Sequence, residues 1–203
     1  MKKITLAVTL AALWITTSGA IAQESPWLLR VRAVDVDTAN KSNPINGTGP
    51  SDLITAQKKV IPELDLTYFF TQNWSTELVV TYPQKHDVYL SGKQIGSIKQ
   101  LPPTLMVQYH FLPQAQFNPY LGAGVNYTRF SSVDLAGGAI TLDKDSFGYA
   151  LGGGVDYKID KNWSLNVDLK YVEMRSNVYA GGQTISNIQI NPWLIGVGVG
   201  YRF

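Results

Sequence analysis

The sequence has no cysteine and only two histidines, His86 and His110. The first absence excludes a disulfide scaffold, even for an exported chain. Together they leave no ligand cluster of recognisable metal-site spacing, and neither metal nor cofactor is expected. Charge is sparse: 16% of residues are Asp, Glu, Lys or Arg, and the formal net charge is +2. Without Lys2 and Lys3 that charge falls to zero, which excludes a basic nucleic-acid binder. After residue 22 no segment approaches the roughly 20 apolar residues of a membrane helix. Any membrane span must therefore be built from strands closed into a barrel, because open sheet edges are not tolerated in lipid.

The start of the chain has the layout of a secretory signal peptide. Lys2-Lys3 form a charged start, Ile4 to Ile15 an apolar run, and Ala20-Ile21-Ala22 a small-residue cleavage site. Residues 1–22 are expected to be cleaved, leaving 23–203 as one domain.

What is present is alternation. In Trp193 to Phe203, the residues Trp193, Ile195, Val197, Val199, Tyr201 and Phe203 are apolar at period two, and the positions between are mostly glycine. One greasy face and one small or polar face suit a strand that faces lipid. A soluble edge strand of this kind would aggregate. Tyr201 and Phe203 are read as a C-terminal assembly signal for the barrel-assembly machinery. The same period marks seven further segments, at about 27–36, 60–70, 74–82, 105–111, 121–127, 149–157 and 163–171. Connections alternate between long ones (37–59, 83–100, 131–144, 175–187) and short ones (71–73, 112–118, 159–162). The expected fold is all-β: an eight-stranded antiparallel transmembrane barrel with short periplasmic turns and long extracellular loops. Trp27, Phe70, Trp74, Phe111, Tyr157, Trp163 and Phe203 fall at the short-turn ends, and Tyr82, Tyr127, Tyr149, Tyr171 and Trp193 nearer the long loops. They read as two interfacial girdles.

The competing fold is a soluble lipocalin-like barrel, apolar inside and polar outside. The second face decides between them. It collects Arg30, Arg32, Glu63, Asp65, Glu77, Asp156, Lys158, Asp168, Lys170 and Arg202. Pointing these at lipid would cost several kcal/mol for many of them, so they are assigned to the interior as an ion-paired floor. Nearer the long loops the same face carries Val34, Ile61, Val79, Met106, Phe130, Val172, Ile190 and Leu194, an apolar funnel above the floor. A lumen simply packed solid fits these residues equally. Gly122, Gly124, Gly196, Gly198 and Gly200 point inward, where they admit larger neighbours.

Proline cannot donate to a ladder, so Pro62, Pro102-Pro103 and Pro192 mark strand starts, bulges or a weakened lateral seam, with Pro62 the preferred seam. Catalysis has little to draw on. His86-Asp87 beside Ser91 is the nearest approach to a nucleophile–base set, and a solvated loop histidine explains it, so no catalytic residue is assigned. Gly137-Gly138 and Gly152-Gly153-Gly154 are not phosphate loops, since no helix follows.

Leu101-Pro102-Pro103-Thr104-Leu105-Met106-Val107-Gln108-Tyr109-His110-Phe111 resembles the outer-membrane protein W (OmpW) family. Pro119 to Thr128, Lys144 to Gly148, Gly154 to Tyr157, Asn191-Pro192-Trp193 and Gly200 to Phe203 carry the resemblance over the whole mature chain. It implies an eight-stranded outer-membrane barrel whose hydrophobic cavity is closed toward the periplasm. It also implies uptake of small hydrophobic molecules with lateral release into the bilayer, and Val79 as an inward constriction. Lys170 departs from the bulky apolar residue that similar sequences can carry there. Expected partners are outer-membrane lipid and lipopolysaccharide, small hydrophobic solutes and, during biogenesis, the assembly machinery. The alternative is a structural or adhesive barrel that acts through its loops.

Overall fold

The computed structural model describes residues 25–203, so the expected signal peptide lies outside the described residues. Fifteen strands follow in chain order. They are β1 (Trp27–Asp37), β2 (Lys41–Ser42), β3 (Ile54–Ala56), β4 (Lys59–Phe69), β5 (Trp74–Val80), β6 (Gln84–Leu90), β7 (Lys93–Leu101) and β8 (Thr104–His110). After them come β9 (Phe117–Leu135), β10 (Ile140–Leu142), β11 (Asp145–Lys158), β12 (Trp163–Val172), β13 (Arg175–Ala180), β14 (Gln183–Gln189) and β15 (Trp193–Arg202).

Eight of these close on themselves. The antiparallel ladder runs β1–β4–β5–β8–β9–β11–β12–β15 and returns to β1 through Leu28↔Arg202 to Asp37↔Trp193. Closure removes every sheet edge, which is what allows strands to sit in lipid. The alternation in each strand sets its faces. In β15, Trp193, Ile195, Val197 and Val199 are exposed, while Gly196 and Gly200 are buried toward the lumen. An outer surface of exposed Val, Leu and Ile around a charged interior is a lipid-facing barrel turned inside out relative to a soluble one.

Cross-strand aromatic pairs ring the end with the short turns: Trp27–Tyr68 at 4.7 Å between centroids, Trp74–Tyr109 at 5.0 Å, Phe117–Tyr157 at 4.9 Å and Trp163–Tyr201 at 4.9 Å. Amphipathic rings at one level form the girdle of a membrane interface. At the other end Tyr82, Phe147, Tyr149 and Trp193 are exposed, with Tyr127 against Phe147 at 4.8 Å and Tyr171 against Trp193 at 5.3 Å.

The four long connections are not loops. They hold a second tier of wall in which β3 pairs β6, β6 pairs β7, β7 pairs the upper half of β9, and the ladder continues through β10, β13, β14 and β2. The tier is drawn together where Ser42 Oγ accepts from Ile54 N–H at 3.2 Å and Asn40 Oδ1 from Ala56 N–H at 2.7 Å. Its two hairpins turn at Ser91-Gly92 and Gly181-Gly182, each residue with positive φ, the backbone that tight two-residue hairpins require. Val88, Ile98, Leu135, Leu142, Val178 and Ile188 point inward from the tier and form one apolar core with Met106, Phe130 and Val172 of the barrel. Of the two readings of the apolar inward residues, open funnel or packed lumen, the mouth follows the second, being filled by side chains of the outer tier.

Candidate functional site

The floor of the lumen is one buried network. Arg30 donates Nε and Nη2 to Asp156 at 3.1 and 2.7 Å, and Nη1 to Glu77 and Thr67 at 2.9 Å each. Arg32 reaches Glu63 and Asp65 from Nη1, both at 3.1 Å, Glu77 from Nη2 at 3.2 Å and Asn166 from Nε at 2.7 Å. Lys170 Nζ lies 3.3 Å from Glu63 and 3.4 Å from Asp168. Tyr120 Oη donates to Asp168 at 2.8 Å and Gln108 to Glu77 at 2.7 Å. Buried charges of this kind persist only when paired.

Eight of the ten charged residues assigned to the interior meet here. Lys158 and Arg202 do not. Lys158 donates to Pro113 O at 2.7 Å and Arg202 Nε to Ser25 O at 2.8 Å, both at the short-turn rim. The buried set is thus three cations, Arg30, Arg32 and Lys170, against five carboxylates, Glu63, Asp65, Glu77, Asp156 and Asp168, and not the even balance the sequence implied.

Thr67, Gln108, Tyr120 and Asn166 complete the floor. Their inward alternation was readable, but no charge marked them out. Glycine makes the space: a Cβ at Gly154 would stand 2.6 Å from Tyr120 Oη, and at Gly196 it would stand 3.3 Å from Arg32 Cδ.

Below the network, His110 Nε2 meets Ser75 Oγ at 3.1 Å and its Nδ1 meets Asn118 Nδ2 at 3.0 Å. The connectivity is that of a serine–histidine–asparagine chain. Ser75 and His110 are both 0% exposed, so no substrate reaches Oγ, and the chain works as part of the seal. His86, Asp87 and Ser91 do not assemble either. His86 and Asp87 are consecutive in β6 and point to opposite faces, and Ser91 lies in the hairpin turn beyond the end of that strand.

Above the floor sits an inner chamber of about 30 Å³, room for a water or two. Ile61, Val79, Val172 and Leu194 line it beside Glu63 and Lys170, and Gln84, His86 and Gln100 roof it. The other funnel residues, Val34, Met106, Phe130 and Ile190, are buried around and above it. A second cavity of about 30 Å³ lies in the outer tier, lined by Ile54, Val88, Leu135, Leu142, Val178 and Ile188 among apolar residues alone. Met106 and Met174, whose unbranched side chains adapt readily, belong to the apolar core that fills the upper lumen.

The wall beside the inner chamber is interrupted. The β4–β5 ladder stops at Leu64↔Val80, and in the same register pairing resumes between β3 and β6 at Ala56↔Val88, with a Gln57–Asp87 backbone bond of 3.3 Å. Residues 58–63 thus face 81–86 without a ladder. On its other side the 81–83 segment faces 101–103, between Val79↔Thr104 below and Gln84↔Gln100 above. Pro62, Pro83, Pro102 and Pro103 all lie in this window, and none has an N–H to close it. The other edge of Pro62 is fully paired, from Trp27↔Tyr68 to Val36↔Lys59, so any opening at Pro62 is toward β5 and not β1. At Pro192 the wall is continuous, its carbonyl accepting from Val172 N–H at 3.2 Å.

His86 spans the upper end of this window. Its Nδ1 lies 3.3 Å from Gln57 O and its Nε2 3.2 Å from Gln100 Nε2. A carbonyl only accepts, so Nδ1 carries the proton and Nε2 accepts from Gln100. Burial, with Lys59 acting in the same direction, holds the imidazole below the usual histidine range against opposing pulls from Gln57 O and Asp87. The folded hairpin therefore favours neutral His86 more than the opened hairpin does, which takes a proton below pH ~6.5. Stability from this group is present above that pH and lost as pH falls through it. Amide exchange of β6 and β7, corrected for intrinsic rates, is expected to quicken between pH 7 and pH 5 in the natural protein. In His86→Gln it is expected to stay flat.

Comparison with known proteins agrees with this geometry. Residues 23–203 match the family model described as "OmpW family". Over 194 residues the chain is 42% identical to an outer-membrane protein of Sinorhizobium fredii named y4mB, covering 92% of this chain and 84% of that one. It is 30% identical to outer membrane protein W of Escherichia coli over the full length of both. The crystal structure of OprG from Pseudomonas aeruginosa superposes with a TM-score of 0.78 at 28% identity, covering 89% of this chain and 97% of that one. A charged lumen, a lipid-facing surface of alternating apolar residues and two aromatic girdles place the protein in the outer membrane, and the chain belongs to the OmpW family.

Proposed function

We propose that the protein is a passive conduit for small hydrophobic molecules, which enter through the apolar outer tier and leave sideways into the membrane. One observation carries the reading: the inner chamber adjoins a stretch of wall without ladder bonds. Ile61, Glu63, Thr81 and Pro102 from the window's edges are themselves chamber lining. The chamber rests on a floor in which two arginines and a lysine bridge strands across the barrel axis. Straight passage to the periplasm would require breaking those bonds. Sideways exit needs only that two strand edges and a proline-rich segment part. The apolar band of the bilayer then receives the solute directly, which explains why an apolar path can stop halfway down the lumen.

Val79 is 3% exposed and lines the chamber. Val79→Trp is expected to abolish accelerated uptake of a lipophilic fluorescent probe into proteoliposomes, without steady ion conductance in either protein. Overpacking costs about 1–3 kcal/mol, so heat-modifiable gel mobility is used to check that the variant is folded. Uptake equal to empty liposomes by the natural protein would overturn the reading in favour of a barrel working through its outer tier.

A further inference from the structure

We infer that the inner chamber is a binding site for small apolar molecules that carry a hydroxyl, which donates its hydrogen to the side-chain carbonyl oxygens of Gln84 and Gln100. The inference rests on the conduit reading and names the chemical class that the conduit favours.

Gln84 and Gln100 stand opposite each other in the β6–β7 ladder, point inward and are 1% and 4% exposed. Both line the chamber, and Oε1 of each is buried without a hydrogen-bond partner. The amide orientations are set by their other ends. Gln84 Nε2 donates to Tyr82 O at 2.9 Å, and a carbonyl leaves no alternative to N–H at that end. Gln100 Nε2 faces His86 Nε2 at 3.2 Å, which is the accepting nitrogen because Nδ1 donates to Gln57 O. In each case Oε1 is left as the free end. Thr81 Oγ1, also without a partner, lines the same chamber and serves in either role.

A buried acceptor left unpaired is costly, and a site built around one discriminates against a solute that cannot donate to it. Two such acceptors stand in a lining that is otherwise mostly aliphatic, apart from Thr81, His86, Thr104 and the Glu63–Lys170 pair of the floor. The remainder of a solute, which a chamber of about 30 Å³ admits only when side chains give way, lies against Ile61, Val79, Val172 and Leu194. A carboxylate end is disfavoured for a separate reason, since the floor beneath already holds five carboxylates to three cations. Alcohols and phenols satisfy both conditions, whereas alkanes, ethers and fatty-acid anions each fail one.

The test uses the full barrel in lipid nanodiscs, with 15N NMR of the Gln side-chain amides during titration with 1-hexanol, with 1-methoxypentane (an ether of the same heavy-atom count) and with hexanoate. Saturable shifts at Gln84 and Gln100 are expected, with the alcohol binding about three- to tenfold more tightly than the ether, as one net hydrogen bond implies. Hexanoate is expected to be weaker than either. In the double variant Gln84→Met/Gln100→Met the alcohol-to-ether ratio is expected to fall toward one, with backbone spectra and gel mobility reporting the fold. Equal affinity of alcohol and ether in the natural protein, a ratio unchanged in the variant, or hexanoate binding as tightly as hexanol would overturn the inference alone. If no probe gives a saturable shift, the inference and the conduit reading fall together.

Discussion

Arg32→Met is expected to destabilise the barrel by about 3–5 kcal/mol, the cost of removing one member of a buried charge network. The guanidinium touches Glu63, Asp65 and Glu77 within 3.2 Å, and Asp168 lies at 3.7 Å. Asp65 has the most to lose, since neither of its carboxylate oxygens has a hydrogen bond, and its close contact at the floor is Arg32 Nη1. Methionine fills a comparable volume and leaves five carboxylates facing two cations. The contrast is Lys58–Asp37, a shorter pair at 2.7 Å whose side chains are 63% and 45% exposed. Solvent screens that pair, and Lys58→Met is expected to leave stability nearly unchanged. Urea unfolding in detergent micelles, followed by gel mobility, separates the two outcomes. A cost for Arg32→Met as small as that for Lys58→Met would mean that packing, and not charge pairing, holds the floor. Adding Asp65→Asn to Arg32→Met is expected to recover part of the loss, because it removes a charge that the first change left without its partner.

Much of this was legible before any coordinates. Lipid accepts only apolar side chains and a closed barrel has two faces, so every second residue of Trp193 to Val199 or Leu165 to Leu169 announces its side. Position on a strand then places Arg30, Arg32, Glu77 and Lys170 inside. The outer tier was not legible, for a reason intrinsic to it. Outside the membrane both faces of a strand meet polar surroundings somewhere, so Gln84-Lys85-His86-Asp87 alternates in burial and hardly at all in polarity.

The floor shows a different limit. Inward position does not give depth, so alternation alone places Lys158 and Arg202, near strand ends, with the floor, whereas their hydrogen-bond acceptors Pro113 O and Ser25 O lie at the short-turn rim. Tyr120 and Asn166 were passed over because neutral polar residues at inward positions carry no sign of their partners. Proline content pointed to a seam at Pro62, but which edge is free depends on where β5 ends. Local sequence does not show that Thr81 to Pro83 leaves the ladder on both sides.

That window makes the second large effect testable. If the ladder continued in the register of Leu64↔Val80 and Ala56↔Val88, Pro62 would stand opposite Tyr82. Both residues are exposed on the outer surface. The chain contains no cysteine to compete, so Pro62→Cys/Tyr82→Cys offers a single pair. A disulfide needs Cα atoms about 4.4–6.8 Å apart, close to the spacing of opposed residues in an intact antiparallel ladder. The bond therefore forms when the two edges come together and then holds the window shut. Lipophile uptake by the oxidised protein is expected to fall to that of empty liposomes and to return on addition of reductant, with both single-cysteine variants unaffected by either treatment. Undiminished uptake by a protein whose mass confirms the disulfide would exclude exit between β4 and β5. The solute would then have to leave across residues 81–83 and 101–103, where Asn126 Nδ2 ties Pro103 O at 3.2 Å and Thr104 Oγ1 at 2.9 Å. Asn126→Ala would then be the change that loosens the wall and raises the rate, whereas it has little to act on if the β4–β5 edge is the exit.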